Sequence, residues 1–516
     1  MFLPIQLRFS FNTPFLVAGA CLSFLLSGHG VAAQSVLPEK LTTTLQKAGV
    51  PASGIGIIVM PVSANDATAA TLTYNADLPL HPASTMKLLT TMVALDELGP
   101  NFRWKTQLLS DQPIVSDVLN GNLYLRGGGD PDLNLQKLGV LLRDLRNLGL
   151  RSIEGNIVLD RSYFQPERSD MSVPAFDAYP NAYYNVIPDA LLINSNISSI
   201  AVQSDDDHVR VNLLTPLNKV RIDSQLSMIK KPCTEWEKYW QAPTLMSNGD
   251  DITVSLNGNF PRNCKITQHL NLLDRNQYIG HAIRQLWQEM GGTWQGTMVD
   301  GKAPATAQQL LEHQSETLAD TIRIVNKHSD NAMARSIFLT LGAESALGIN
   351  GDSNNSAQRA EARVRSWLFK HGINDTNLVL ENGSGLSRIE QISARQMAAL
   401  LLAASRSNWY PEFASSLPIA GMDGTMRKRL RESPAALSSR IKTGTLKDSV
   451  AIAGYVCDVQ KQQWIVVAMV NSDKADKART ALDILIDWVA TGGDVSASNA
   501  PALSSVQPIA HGQESH

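Results

Sequence analysis

A serine hydroxyl is a weak nucleophile until a base takes its proton, and a lysine can act as that base where burial lowers its pKa. The segment His81-Pro82-Ala83-Ser84-Thr85-Met86-Lys87-Leu88-Leu89-Thr90 offers this pair. Pro82 suits the first turn of a helix. Met86, Leu89, Val93 and Leu95 then recur at helical spacing, and Gly99 is a stop signal. Ser84 and Lys87 would share one face. Ser84 would also lie in the first turn, where free N–H groups favour developing negative charge. Ser-x-x-Lys alone carries little, because it recurs at Ser227/Lys230 and Ser439/Lys442. An isolated match is ordinarily a capping serine with a solvated lysine.

Two further groups of residues add weight. Ser329-Asp330-Asn331 falls between predicted helices over 317–327 and 332–341. A turn there can push a hydroxyl and an amide into a cleft. Ser-x-Asn is common by itself and recurs at Ser63/Asn65 and Ser353/Asn355. Lys442-Thr443-Gly444-Thr445 occurs once and precedes an apolar strand. On a strand, Lys442 and Gly444 face one way, Thr443 and Thr445 the other. Gly444 would let a ligand backbone approach, and Lys442 with a threonine hydroxyl could hold a carboxylate.

These groups need a scaffold, and 516 residues predict two or three domains. Apolar content of 43% with 18% charge is that of a soluble globular chain, and a net charge of −3 gives no footing for nucleic acid. Arg8, the apolar run Phe15–Leu26 and Val31-Ala32-Ala33 read as a secretory signal cleaved after Ala33. No later run reaches membrane-spanning length. Export leaves Cys233, Cys264 and Cys457. An oxidising compartment makes Cys233–Cys264 the expected disulfide, with Cys457 a buried free thiol. No Cys/His spacing fits zinc.

In order, a short amphipathic helix over 34–50 precedes strands at 54–60 and 71–74 and the Ser84 helix. Strands at 104–109, 122–126 and 153–160 surround a helix predicted from Asp130 to Gly149. Gly127-Gly128-Gly129 lacks the lysine of a phosphate loop and is a turn. Residues 180–265 read as a small β domain, and a helix 278–290 with a strand 293–299 returns to the α/β unit. From Leu311 the chain reads as largely helical, with helices at 357–371 and from Ser393. Strands at 451–456 and 464–470 and a helix over 475–490 close it, before a Gly/Ser/Ala/Pro-rich tail, 491–516, expected to be disordered.

The trio of Ser-x-x-Lys, Ser-Asp-Asn and Lys-Thr-Gly marks penicillin-binding proteins and class A β-lactamases. The chain resembles the low-molecular-mass class C penicillin-binding proteins, the penicillin-binding protein 4 type of D-alanyl-D-alanine carboxypeptidase/endopeptidase (peptidase family S13). The 241 residues between Lys87 and Ser329 are the large insertion typical of that family. Gly383-Ser384-Gly385-Leu386-Ser387-Arg388 and the run from Leu417 to Thr425 are also similar to it.

The resemblance covers about residues 40–490 and implies a mixed α/β (α+β) fold. A penicillin-binding/β-lactamase-like transpeptidase domain, an antiparallel sheet flanked by helices, would span 34–98 and 306–490. An inserted α/β domain would span 99–179 and 266–305, with a nested β-rich domain at 180–265. By the same resemblance, Ser84 attacks the penultimate D-alanine carbonyl, Lys87 accepts its proton, and Ser329 relays a proton to the leaving D-alanine. Asn331 orients the peptide, and Lys442 and Thr443 bind the terminal carboxylate. The N–H groups of Ser84 and Thr445 form the oxyanion hole. Arg388 lies near the side-chain end of the substrate peptide. Lys447 replaces a glutamine of some relatives, and an amide around Asn194 replaces an acidic substrate contact.

The implied partners are peptidoglycan peptides and β-lactams, with no cofactor, no metal, no nucleic acid and at most peripheral membrane association, in the periplasm. A serine β-lactamase is the first alternative, but no Glu-x-x-Leu-Asn run lies between residues 88 and 328. A β-lactam sensor would need a membrane domain. An esterase on the same scaffold would not need the Lys442 clamp.

Overall fold

The structure, a computed structural model, describes residues 36–171, 173–174, 176–345 and 355–493. The expected signal over 1–33 lies outside them, as does the expected tail beyond Gly493.

The strands Ile55–Pro61 and Gln463–Asn471 are apolar on both faces, so each must be covered on both sides. They are central in an antiparallel sheet of five strands, in the order Leu72–Tyr74, Ile55–Pro61, Gln463–Asn471, Ser449–Cys457 and Arg440–Thr445. Alternation divides their side chains between two cores. Ile55, Ile57 and Val59 pack with Leu41 and Leu45 of the helix Glu39–Ala48 and Leu485 and Ile486 of the helix Arg479–Ala490. Ile58 and Met60 face the larger helical layer, formed by Lys87–Leu98, Leu318–His328, Asn331–Ala343, Ser356–Lys370 and Ala394–Arg406. Arg440–Thr445 is the edge strand.

The helix after Ser84 departs from its amphipathic reading. Every residue from Lys87 to Leu95 is buried, because the sheet and the other helices surround it. Ser84 itself lies in a 3-10 turn, Ala83–Met86, that leads into Lys87–Leu98.

Between Leu98 and Leu318 the chain builds other sheets. One has the order Met298–Asp300, Ile157–Asp160, Leu123–Gly127, Lys105–Ser110 and Gln308–Gln314. It packs with the helices Leu135–Asn147 and Arg275–Glu289 around Leu138, Leu142, Ile279 and Trp287. The strand Gln308–Gln314 corrects two expectations: it lies where the helical region was to begin, and it extends the inserted sheet past 305. The segment read as one strand over 153–160 is two, Ser152–Ile153 and Ile157–Asp160, in different sheets. Asp130 does not start a helix. Its carboxylate accepts from the Asp132 N–H, and Asn134 caps Leu135–Asn147 instead.

Residues 198–270 form short-stranded sheets joined by the disulfide Cys233–Cys264. Lys265–Leu270 pairs with Ser198–Ser204, so the β segment runs past 265. Cys457 is free and partly exposed rather than buried. Among the described residues, no helix is long and apolar enough to cross a membrane.

Candidate active site

The Ser84 turn is shaped by its neighbours. Ala83 takes a left-handed φ of +46°, a strained conformation for a residue with a Cβ. Its N–H donates to His81 Nδ1 at 3.0 Å, and His81 Nε2 is 2.6 Å from the Ser387 carbonyl. The acceptor role of Nδ1 places the ring proton on Nε2. Glycines let backbone close in on both sides. A Cβ on Gly444 would sit 2.7 Å from Pro82 O and 3.0 Å from Ser84 N, and one on Gly385 would overlap Ala83 O. The sequence predicts a ligand backbone against Gly444; what approaches it is the Ser84 turn.

Lys87 is 0% exposed, and its Nζ donates to Ser84 Oγ at 3.0 Å, Asn331 Oδ1 at 2.7 Å and the Ser384 carbonyl at 2.5 Å. Burial pushes its pKa down to about 7, against the pull of the Asp330 and Glu390 carboxylates. Ser329, with φ +62°, caps the C-terminus of Leu318–His328, and Asn331 opens the next helix behind the Asp330 cap. The turn therefore holds the Ser329 hydroxyl and the Asn331 amide between two rigid helices. Lys442 is also 0% exposed and donates to Ser329 Oγ at 2.9 Å and to the Thr443 carbonyl at 2.8 Å. Burial holds its ammonium well below the usual lysine range, and neighbouring Lys87 adds to that.

Of the residues expected from the sequence, Ser84, Lys87 and Asn331 form one hydrogen-bonded group and Ser329 with Lys442 a second, and the 329–331 turn brings the two together. Thr443 and Thr445 do not share the Lys442 face. Lys442 pairs with Ala453 and Gly444 with Ala451, on the helical side, while Thr443 and Thr445 alternate outward. Thr443 Oγ1 donates to Thr425 Oγ1 at 2.8 Å. Leu446 N–H bonds Ser449 O inside the hairpin and Ile441 N–H bonds Pro418 O outside it. By alternation, the Thr443 and Thr445 N–H groups point to the open edge.

Arg388 stands apart from the cluster. It is exposed, its guanidinium lies 4.6 Å from the Phe176 ring, and Nη2 donates to the Phe176 carbonyl. It lines a cavity of about 850 Å³ between the Leu386–Ile389 loop and the segment around 165–188. Asn194 donates to Ile197 O in its own segment at 3.1 Å and to Tyr278 Oη on the helix Arg275–Glu289 at 2.9 Å. Lys447 is exposed in the hairpin after the edge strand.

Sequence reasoning missed Glu390, which is 0% exposed. One of its oxygens accepts the N–H groups of Glu381, Asn382 and Gly383, the other that of Gly385. It shapes the loop whose Ser384 carbonyl receives Lys87. Tyr184 was missed as well; its carbonyl accepts the Asn331 Nδ2 proton at 3.0 Å. Neither role has a sequence signal, because both partners are backbone atoms. Among the described residues, no group of three or more His, Cys, Asp or Glu could hold a metal ion.

Residues 37–491 match the model of the D-Ala-D-Ala carboxypeptidase 3 (S13) family. A D-alanyl-D-alanine carboxypeptidase of Haemophilus influenzae is 26% identical over 434 residues, 81% of this chain and 85% of that one. A D-alanyl-D-alanine carboxypeptidase of Actinomadura sp. is 26% identical over 397 residues, 73% and 71% of the two chains. The crystal structure of penicillin binding protein 4 from Haemophilus influenzae superposes with a TM-score of 0.70 at 24% identity, covering 87% of this chain and 99% of that one.

Proposed function

This chain belongs to the D-Ala-D-Ala carboxypeptidase 3 (S13) family and is a D-Ala-D-Ala carboxypeptidase, and from that premise we propose that Ser84 is its nucleophile and Lys87 the base that activates it. The observation that carries the assignment is the 3.0 Å contact from Lys87 Nζ to Ser84 Oγ, made by a lysine whose pKa is lowered to about 7. The neutral amine takes the hydroxyl proton as Oγ attacks the carbonyl of the penultimate D-alanine. The N–H groups of Ser84 and Thr445 receive the developing oxyanion. Ser329 passes its proton to the departing D-alanine amine, and the proton that Lys87 took from Ser84 returns to Ser329 by way of the neutral Lys442 amine, 2.9 Å from Ser329 Oγ, which leaves Lys87 neutral again. Water then attacks the acyl-enzyme, releasing the shortened peptide and restoring Ser84. Asn331 holds Lys87 and orients the peptide. Thr445 and the Thr443–Thr425 hydroxyl pair receive the terminal carboxylate, and Lys442 contributes through Ser329.

The same site would cleave cross-linked stem peptides as an endopeptidase. A cavity of about 850 Å³ with Arg388 in its wall offers room for the larger substrate. Penicillin, which mimics D-Ala-D-Ala, would acylate Ser84. The protein would be exported with cleavage after Ala33 and act in the periplasm; the Cys233–Cys264 bond supports an oxidising compartment. Incubation with purified pentapeptide monomers and cross-linked dimers tests the activity. Release of D-alanine from monomers with dimers left intact would confine it to carboxypeptidase.

A further inference from the structure

The terminal carboxylate of the substrate needs a counter-charge, and Lys442 is poorly placed to supply it. Its ammonium is buried on the helical face of the edge strand and bound to Ser329. Burial also favours its neutral form. The hydroxyls of Thr443 and Thr445 face the other way. They line a separate cleft of about 200 Å³ with Thr425, Arg429, Arg479 and Leu482. The size suits a single small residue, since pockets for drug-sized ligands run to about 300–1,000 Å³.

The two arginines differ. Arg429 Nε and Nη2 donate to Asp483 Oδ1 at 3.0 and 2.7 Å, so that guanidinium is fixed and largely neutralised. Arg479 is exposed at the start of the helix Arg479–Ala490, and among the described residues it has no ion-pair partner. With Asp483 balancing Arg429, the cleft keeps one net positive charge. Thr443 donates its hydroxyl proton to Thr425 Oγ1, which leaves the Thr425 proton free for another acceptor. A planar, permanently charged guanidinium beside convergent hydroxyls is carboxylate-recognition chemistry.

We propose that Arg479, with Thr445 and with Thr425, whose hydroxyl Thr443 orients, forms the seat of the substrate's C-terminal carboxylate and sets the preference for a free acid over a neutral C-terminus. The inference rests on the carboxypeptidase reading of the Ser84 site. Arg479 acts as a binding and specificity residue, touching the carboxylate and no reacting atom.

The test compares kcat/KM for a peptide ending in D-Ala-D-Ala with that for the same peptide ending in D-alaninamide. Wild-type protein should prefer the free acid. Arg479→Ala should lower the acid-to-amide preference roughly 10- to 100-fold, the range for a hydrogen bond to a charged group, with the loss in KM. Arg479→Lys, which keeps the charge, should recover part of the preference and also guards against a folding defect. Equal losses on acid and amide, or an unchanged preference in Arg479→Ala, would overturn the assignment while leaving the carboxypeptidase reading intact. Failure of the wild-type protein to release D-alanine from the free acid would instead remove that reading, and this inference with it.

Discussion

The Ser384 carbonyl accepts a 2.5 Å hydrogen bond from Lys87 Nζ and so fixes the amine 3.0 Å from Ser84 Oγ. A carbonyl is a neutral acceptor. It orients the amine without the strong preference for the charged form that a directly bonded carboxylate would impose, and burial can then lower the pKa to about 7. Only the deprotonated amine can act as base, so kcat/KM for D-alanine release should rise with pH and level off above neutrality, with a midpoint at about 7. A rate flat from about pH 6 to pH 8 would exclude Lys87 as the group whose ionisation limits acylation.

Glu390 accounts for the position of that carbonyl, since its two oxygens take four backbone N–H groups of the 381–385 loop. Arg335, itself mostly buried, donates to the Leu386 carbonyl and adds positive charge beside it. Glu390→Ala would leave the four donors without their acceptor and a buried cation without its counter-charge. Breaking such an arrangement typically removes about 3–5 kcal/mol of stability. Glu390→Gln keeps one acceptor oxygen and should lose less. Denaturant unfolding measures both; a loss of under about 1 kcal/mol for Glu390→Ala would show that the loop holds its shape without the carboxylate.

That Ser84, Lys87, Ser329, Asn331 and Lys442 would come close together was legible because they belong to short motifs with fixed local geometry. The central strands were legible for a related reason: continuous apolar runs such as Ile55–Met60 leave few alternatives. What escaped depends on distant partners. Gln308–Gln314 carries little strand patterning and is organised by pairing with Lys105–Ser110, some 200 residues earlier. The Glu390 and Tyr184 contacts join side chain to backbone across folded loops, which leaves no residue-type signature. Thr443 and Thr445 were placed on the correct face by strand alternation. The arginines opposite them come from two other elements, and nothing near Lys442 in the sequence points to them.

Gly444 offers a test of how tightly the edge strand and the Ser84 turn must fit. A Cβ there would meet Pro82 O at 2.7 Å and Ser84 N at 3.0 Å, both backbone atoms that cannot rotate away. Gly444→Ala should therefore displace Ser84 from Lys87 and from the Thr445 N–H. A misplacement near 1 Å can lower rates about 10²-fold. Penicillin acylation and D-alanine release should fall together in stopped-time assays, and wild-type acylation in Gly444→Ala would show that the turn is not held by this contact.

The assignment of nucleophile and base meets its most direct test in penicillin labelling. The β-lactam ring presents a carbonyl where D-Ala-D-Ala does, so it should acylate Ser84 and persist, since its leaving group stays attached. Ser84→Ala should abolish both labelling by fluorescent penicillin and release of D-alanine. Lys87→Ala leaves the Ser84 hydroxyl without its base and should lower acylation by about 10²–10⁴-fold, the usual loss when a general base is removed. It also removes the donor to Asn331 Oδ1 and the Ser384 carbonyl, so circular dichroism must first show a native fold. Peptide mapping by mass spectrometry then locates the adduct. A penicilloyl group on Ser329, Ser439 or any residue but Ser84 would reverse the roles assigned across the cluster. Ser439 Oγ is a useful internal control: it is buried, has no hydrogen-bond partner and precedes Lys442 at the same spacing as Ser84 and Lys87. It should stay unlabelled, because no route from solvent reaches a 0% exposed hydroxyl.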